Sequence, residues 1–208
     1  MFVARTPLRI TLGGGGNDLP DNPEGFCVTA TINRYVYSMV TTPFEDITIV
    51  HHHEGTELVD DPFLVKHRLL RQILLHTNPG PVEFAGLSDI PAGTGLGSSS
   101  AFTVGALAAL RAHQGHTFDP TLIAREACDI EVHQLGDPIG YQDQYATALG
   151  GLRWHQYNNG TVTTGHIPMH WGDLEALSKN LYLFYTGISR SAADQMGHTP
   201  PLDQLREQ

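Results

Sequence analysis

The chain has 208 residues, 40% hydrophobic and 16% charged, enough to bury a core and too apolar for a disordered chain. Twelve Lys and Arg against 22 Asp and Glu leave a formal net charge of −10, a field that repels phosphate backbones and argues against nucleic acid as a partner. No apolar run approaches a membrane span, the N-terminus MFVARTPLRITL lacks a signal peptide's apolar stretch, and Cys27 and Cys128 form no CxxC pair, so the reading is a cytoplasmic chain with reduced, buried cysteines.

In chain order, residues 8–12 alternate as a strand and stop at the glycine run Gly13 to Gly16. Residues 26–32 and 35–42 read as two further strands, rich in Val, Thr and Tyr. Residues 47–51 and 57–59 suggest a short hairpin. The consecutive His51, His52 and His53 point to different sides of such a backbone, so they read as a polar edge rather than a metal site. An amphipathic helix is predicted over 65–76, with Leu69, Leu70, Ile73 and Leu74 at helical spacing, and a strand over 82–87.

A loop of small residues follows, Pro91 to Ser100, and then a helix over 101–113. Asp119-Pro120 is a cap with proline at the first helical position, opening a helix that runs to about Leu135, where Gly136-Asp137-Pro138 ends it. A short helix over 145–149, strands over 152–157 and 161–167, a weak helix over 173–178 and a strand over 181–185 complete the pattern. Residues 187–190 leave that last strand as a loop, and no internal repeat, linker or low-complexity tract appears.

The loop is the strongest single feature. Gly93, Gly95 and Gly97 alternate, then Ser98, Ser99 and Ser100 lead into a helix. Alternating glycines let the backbone turn its N–H groups toward one point, and the helix start adds further donors and a partial positive charge. Serine hydroxyls can bind phosphate oxygens or Mg²⁺. This is neither a Walker A loop, since no Lys precedes the serine, nor GxGxxG, since the third glycine comes one position early. A glycine-rich turn that only lets a helix pack closely also fits.

Two carboxylates stand out by context. On a wheel of about 100° per residue, Glu131 falls between Ala124 and Ala127 on the apolar arc, with Arg125 and Asp129 on the solvated side. A carboxylate there is bound to a cation or paired with a neighbouring element. Asp143 follows the helix-ending Gly-Asp-Pro and can also serve as a helix cap. Asp18, beside glycines, has the plain alternative of a turn residue, and Arg9, between Leu8 and Ile10, that of a solvated strand position.

Together these stretches resemble the superfamily of galactokinase, homoserine kinase, mevalonate kinase and phosphomevalonate kinase, the GHMP kinases. Thr6-Pro7-Leu8-Arg9-Ile10 through Gly14-Gly15-Gly16-Asn17-Asp18 is similar to the first family motif, and Pro91 to Ser100 into Ala101-Phe102 to the second. Gly136-Asp137-Pro138 through Asp143 is similar to the segment bearing the catalytic aspartate. The resemblance spans nearly the whole chain. Three stretches, residues 13–20, 142–146 and 185–192, look most like the D-glycero-D-manno-heptose 7-phosphate kinases. Asn17 stands where threonine is usual, and Tyr141 where that branch commonly has lysine.

The resemblance implies an α+β fold: a two-layer, ribosomal-protein-like N-terminal domain over 1–178 and the beginning of a ferredoxin-like C-terminal domain over 179–208. The family's third, glycine-rich motif lies in that second domain and has no counterpart here, which implies a truncated chain, a partner chain or a degenerate homologue. It further implies ATP and Mg²⁺, with a sugar or sugar phosphate as acceptor, the anomeric hydroxyl of a heptose 7-phosphate being the leading candidate. Another family sugar kinase, of fucose or galactose type, and a non-catalytic nucleotide-binding homologue are the alternatives. By position, Gly93, Thr94, Gly95, Leu96, Gly97, Ser98, Ser99 and Ser100 would wrap the ATP phosphates. Ser99 and Glu131 would hold Mg²⁺. Asp143 would orient the sugar hydroxyl with Arg9 beside it, and Gly16, Asn17, Asp18 and Arg190 would meet the acceptor.

Overall fold

The computed structural model describes residues 1–20, 24–52 and 55–187. Its frame is one seven-stranded sheet. Strand β1 (Phe2–Gly13) pairs antiparallel with β2 (Glu24–Thr41) along nearly its whole length. On the other flank, β2 is shared: residues 36–41 pair with β5 (Glu83–Ser88) and residues 24–30 with β6 (Leu152–Asn158). The order across the sheet is β4-β3-β5-β2-β6-β7, where β3 is Thr48–His52, β4 is Gly55–Val59 and β7 is Thr161–His166. β3 and β5 run parallel, and the other pairs are antiparallel.

The two strands expected over 26–32 and 35–42 are one strand. The ladder with β1 is irregular between Pro7 and Arg9, opposite residues 32–34 of β2, and the change of neighbour from β6 to β5 falls at the same place. The polar pair Asn33-Arg34 looks like a turn because it is exposed at that irregularity, yet the chain continues straight through.

Helices form the second layer. α1 (Arg68–Thr77) begins three residues after the predicted start, because a 3-10 turn occupies Pro62–Leu64 and the His67 ring caps the Leu70 N–H at 3.2 Å. α2 (Ser98–His113) starts at the serines themselves. Its buried face, including Val104, Leu107 and Leu110, joins Ile73 and Leu74 of α1, Val40 of β2 and Phe84 of β5 in the main core. α3 (Pro120–Cys128) is capped by Asp119, which accepts from the Thr121 and Leu122 N–H groups. It runs on as a π-helical turn over Asp129–Gln134. α4 (Gln142–Leu149) follows a short loop, and Tyr145 joins Cys128, Tyr141 and Tyr157 in a second core cluster.

α5 (Trp171–Asn180) buries no residue. The strand expected over 181–185 is absent: residues 181–187 are irregular, and Tyr182 and Phe184 are exposed. Alternating aromatics favour a strand only when a neighbour supplies the ladder, and no described strand lies beside them. No described helix is long and apolar enough to cross a membrane.

Candidate active site

α2 begins at a glycine rather than at a side-chain cap. Gly97, at the N-cap, has φ 71° and offers no side chain to the first helical N–H groups. Gly93 and Gly95 share the left-handed region, each at φ 74°. Among the described residues, no hydrogen bond uses the backbone N–H groups of Gly93 to Ser100. A row of free donors at the positive end of a 16-residue helix is a geometry that suits an anion.

Arg9, on β1, ties this loop to the rest of the site. Its backbone N–H donates to the Leu96 carbonyl at 3.1 Å and its Nη1 to the Gly95 carbonyl at 2.7 Å. Its Nε and Nη2 form a fork onto Asp143, to Oδ1 and Oδ2 at 2.7 Å each. Both side chains keep some exposure, 11% for Arg9 and 24% for Asp143. A Cβ on Gly97 would lie 3.2 Å from Arg9 Cγ and 3.3 Å from Asp143 Oδ2, so glycine brings the loop backbone against the ion pair. Asp143 sits in the first turn of α4 and caps nothing with its side chain.

Glu131 comes from the π-helical turn and is fully buried. Its Oε1 accepts from Thr103 Oγ1 at 2.8 Å and from Ser99 Oγ at 3.3 Å. Its Oε2 accepts from Ser100 Oγ at 2.8 Å and from Gln144 Nε2. Burial pushes this carboxyl above its ordinary pKa, and the donors from Ser100, Thr103 and Gln144 pull it back.

A cleft of about 1060 Å³ runs past the glycine loop, Arg9 and Asp143, while Glu131 lies behind its wall. Arg9, Gly93, Ser98 and Asp143 line it, together with Leu70, Phe84 and Phe102. Leu96 faces away, packed against the core cluster of Leu8, Val36 and Ala101. The Ser100 hydroxyl is spent on Glu131 and is buried.

Gly16, Asn17 and Asp18 do not line the cleft. Gly16 is exposed, and Asn17 Nδ2 donates to the Phe26 carbonyl at 3.1 Å. Asp18 is buried, and its Oδ2 accepts the Gln142 N–H at 2.8 Å, against a backbone so close that a Cβ on Gly140 would overlap it. Burial raises the Asp18 pKa, and the Gln142 N–H opposes the rise. Arg190 lies outside the described residues. The sequence reading did not include Thr103 or Gln144. Thr103 is one helical turn beyond Ser99 and was findable by spacing, whereas nothing in the pattern separates Gln144 from an ordinary polar helix residue.

Residues 64–151 match the GHMP kinases N terminal domain family, a stretch that contains the glycine loop, Glu131 and Asp143. This part of the chain is similar to a GHMP kinase N-terminal domain. The chain is 29% identical over 219 aligned residues to a D-glycero-alpha-D-manno-heptose 7-phosphate kinase of Campylobacter jejuni, an alignment covering 93% of this chain and 62% of the relative. Over 114 residues it is 32% identical to an L-fucokinase/L-fucose-1-P guanylyltransferase of Bacteroides fragilis, covering 53% of this chain and 12% of that protein. The crystal structure of a D-glycero-D-manno-heptose 1-phosphate kinase from Bacteroides thetaiotaomicron superposes with a TM-score of 0.76 at 25% identity, over 84% of this chain and 62% of that one. The chain thus spans less than two thirds of the length of these relatives.

The resemblance to GHMP kinases implies Mg²⁺, and a carboxylate oxygen of Glu131 beside the Ser99 hydroxyl is a donor set that fits a hard cation. No described cluster of three or more His, Cys, Asp or Glu could hold a metal.

Proposed function

We propose that this chain binds ATP in the cleft and transfers its γ-phosphate to a sugar hydroxyl held against Asp143. The observation that carries the reading is the position of Arg9, which holds the glycine loop through Gly95 and Leu96 and Asp143 through a two-pronged ion pair. One side chain thereby sets the distance between the phosphate cradle and the acceptor's orienting group.

Phosphoryl transfer asks the protein chiefly for positioning and charge neutralisation. The free N–H groups of residues 93–100 bind the phosphate oxygens. Ser99 and Glu131 would hold Mg²⁺, which when bound would neutralise charge on the phosphates. Asp143 accepts a hydrogen bond from the sugar hydroxyl, aims its oxygen at the γ-phosphorus and takes its proton late. Arg9 keeps Asp143 in one rotamer and places positive charge beside the transferred group. Asp18 accepts the Gln142 N–H and so fixes the start of α4 beside Asp143. The likeness to heptose phosphate kinases supports a heptose phosphate as acceptor. The shorter match to an L-fucokinase makes fucose the second arm of a substrate panel.

The test is ATP consumption and product detection with D-glycero-D-manno-heptose 7-phosphate, L-fucose and galactose, using the chain alone and with a C-terminal domain from a relative. Asp143→Asn should lower kcat by at least 100-fold, of the order general base and positioning groups contribute, while calorimetry finds Mg·ATP binding retained. Equal turnover by the variant removes Asp143 from the reaction. Tight nucleotide binding with no phosphorylated sugar under any condition favours a binding module.

A further inference from the structure

Gln144 bonds the buried carboxylate of Glu131 and is next in sequence to Asp143. It is fully buried in the first turn of α4. Its Nε2 donates to Glu131 Oε2, and its Oε1 has no hydrogen-bond partner. A buried amide left half satisfied is costly, and a Leu or Met of similar volume would avoid that cost. The amide orientation follows from the carboxylate, since the reverse would set two oxygens against each other.

The four donors on Glu131 are unequal. Ser100, Thr103 and Gln144 are buried, and the Ser100 and Thr103 bonds are 2.8 Å long. Ser99 is exposed and its bond is the longest, at 3.3 Å. A cation arriving from the cleft meets Ser99 first and leaves the buried donors in place. Any shift of the Glu131 carboxylate then pulls on Gln144, and through a single peptide unit on Asp143, which is clamped by Arg9.

Resting on the kinase reading above, we propose that Gln144 is a positioning residue that couples cation binding at Ser99 and Glu131 to the setting of Asp143. Mg²⁺ with nucleotide therefore does two things: it neutralises phosphate charge, and it draws the first turn of α4 into its working position. Only the nucleotide-loaded site then presents Asp143 correctly to an acceptor.

The test needs no turnover. Mn²⁺ affinity is measured by water proton relaxation with the non-hydrolysable analogue AMP-PNP, and amide hydrogen exchange of residues 141–145 is followed with and without Mg²⁺. In the wild type, Mg²⁺ with the analogue slows exchange in this turn. Gln144→Met should weaken Mn²⁺ by roughly 10-fold, the lower range for loss of a partner behind a metal ligand, and abolish the slowing even at saturating cation. Thr103→Val, which removes a donor without touching α4, should weaken Mn²⁺ and keep the slowing. Gln144→Asn, which retracts the amide by one methylene, should repeat both losses and serves if the Met variant does not fold. Wild-type Mn²⁺ affinity or retained slowing in the Gln144 variants overturns the proposal while leaving the kinase reading intact. Failure of wild-type chain to bind Mn²⁺ with the analogue overturns both.

Discussion

His155, Asp18 and Glu131 are buried titratable side chains that respond to pH with opposite signs. His155 on β6 is fully buried, its Nε2 is 2.9 Å from Thr29 Oγ1, and its Nδ1 has no hydrogen-bond partner. Burial, with Arg153 adding to it, pulls its pKa from 6.5 down to about 4. The folded state therefore prefers the neutral ring, and its contribution is present above pH 6.5 and lost as pH falls toward about 4. Asp18 and Glu131 have raised values, so their contribution is present at low pH and lost as pH rises through the folded pKa. A raw stability curve mixes these. The difference between wild type and His155→Phe isolates the ring: urea midpoints should fall less steeply in the variant between pH 6.5 and 4. Parallel curves would show that His155 does not titrate with unfolding.

At the scale of elements, the decisive piece is the loop-to-helix junction before α2. Gly97 serves the turn, where φ is 71°, and the close approach to Arg9 and Asp143. An alanine there costs about 1–2 kcal/mol for the left-handed backbone alone. Its methyl also presses on the ion pair, at 3.2 Å from Arg9 Cγ and 3.3 Å from Asp143 Oδ2. Gly97→Ala should lower the thermal midpoint and weaken ATP-analogue binding together, as read by thermal scanning and calorimetry. Wild-type nucleotide affinity in this variant would mean that the cradle does not lie at residues 93–98. The π-helical turn over Asp129–Gln134 is the second such device. Wider turns of this kind often occur at functional sites, and here the turn carries Glu131 into the donors of α2 and α4.

Across the whole molecule, charge and function pull apart. The net charge of −10 disfavours any anion in solution, yet the proposed ligand is a polyphosphate. The resolution is local: backbone donors and a helix end act within a few ångström, while the negative field acts over the Debye length and is screened by salt. Mg·AMP-PNP affinity should therefore hold or tighten as ionic strength rises at fixed free Mg²⁺. Nucleic-acid binders, built on surface Lys and Arg, lose affinity under the same titration. A steep loss here, measured by calorimetry, would mean that exposed cations dominate binding.

How much of this was legible before the fold is clearest from particular residues. The glycine loop, the helix behind it and the Asp119-Pro120 start could be read directly, because left-handed turns, caps and proline positions are demands a residue makes on its own backbone. Glu131 could be placed on the buried arc because helical phase is local. The continuity of β2 could not, since one strand serving β5 and β6 on the same flank depends on where those distant strands arrive. Nor could the absence of a strand over 181–185 be read from its aromatics, because pairing needs a neighbour.

Sequence alone thus determined the chemistry on offer: a glycine-rich turn before a helix, a carboxylate on an apolar helical arc, and an aspartate in the loop after Gly-Asp-Pro. Tertiary structure alone decided which groups meet. Arg9 reaches Asp143 across 134 positions, Asp18 reaches Gln142 across 124, and Gln144 leans inward to Glu131 rather than outward to the cleft. Such contacts depend on the register of β1 in the sheet and the packing of α4 against α2 and α3. Those are properties of the assembled core, and no stretch of neighbouring residues encodes them.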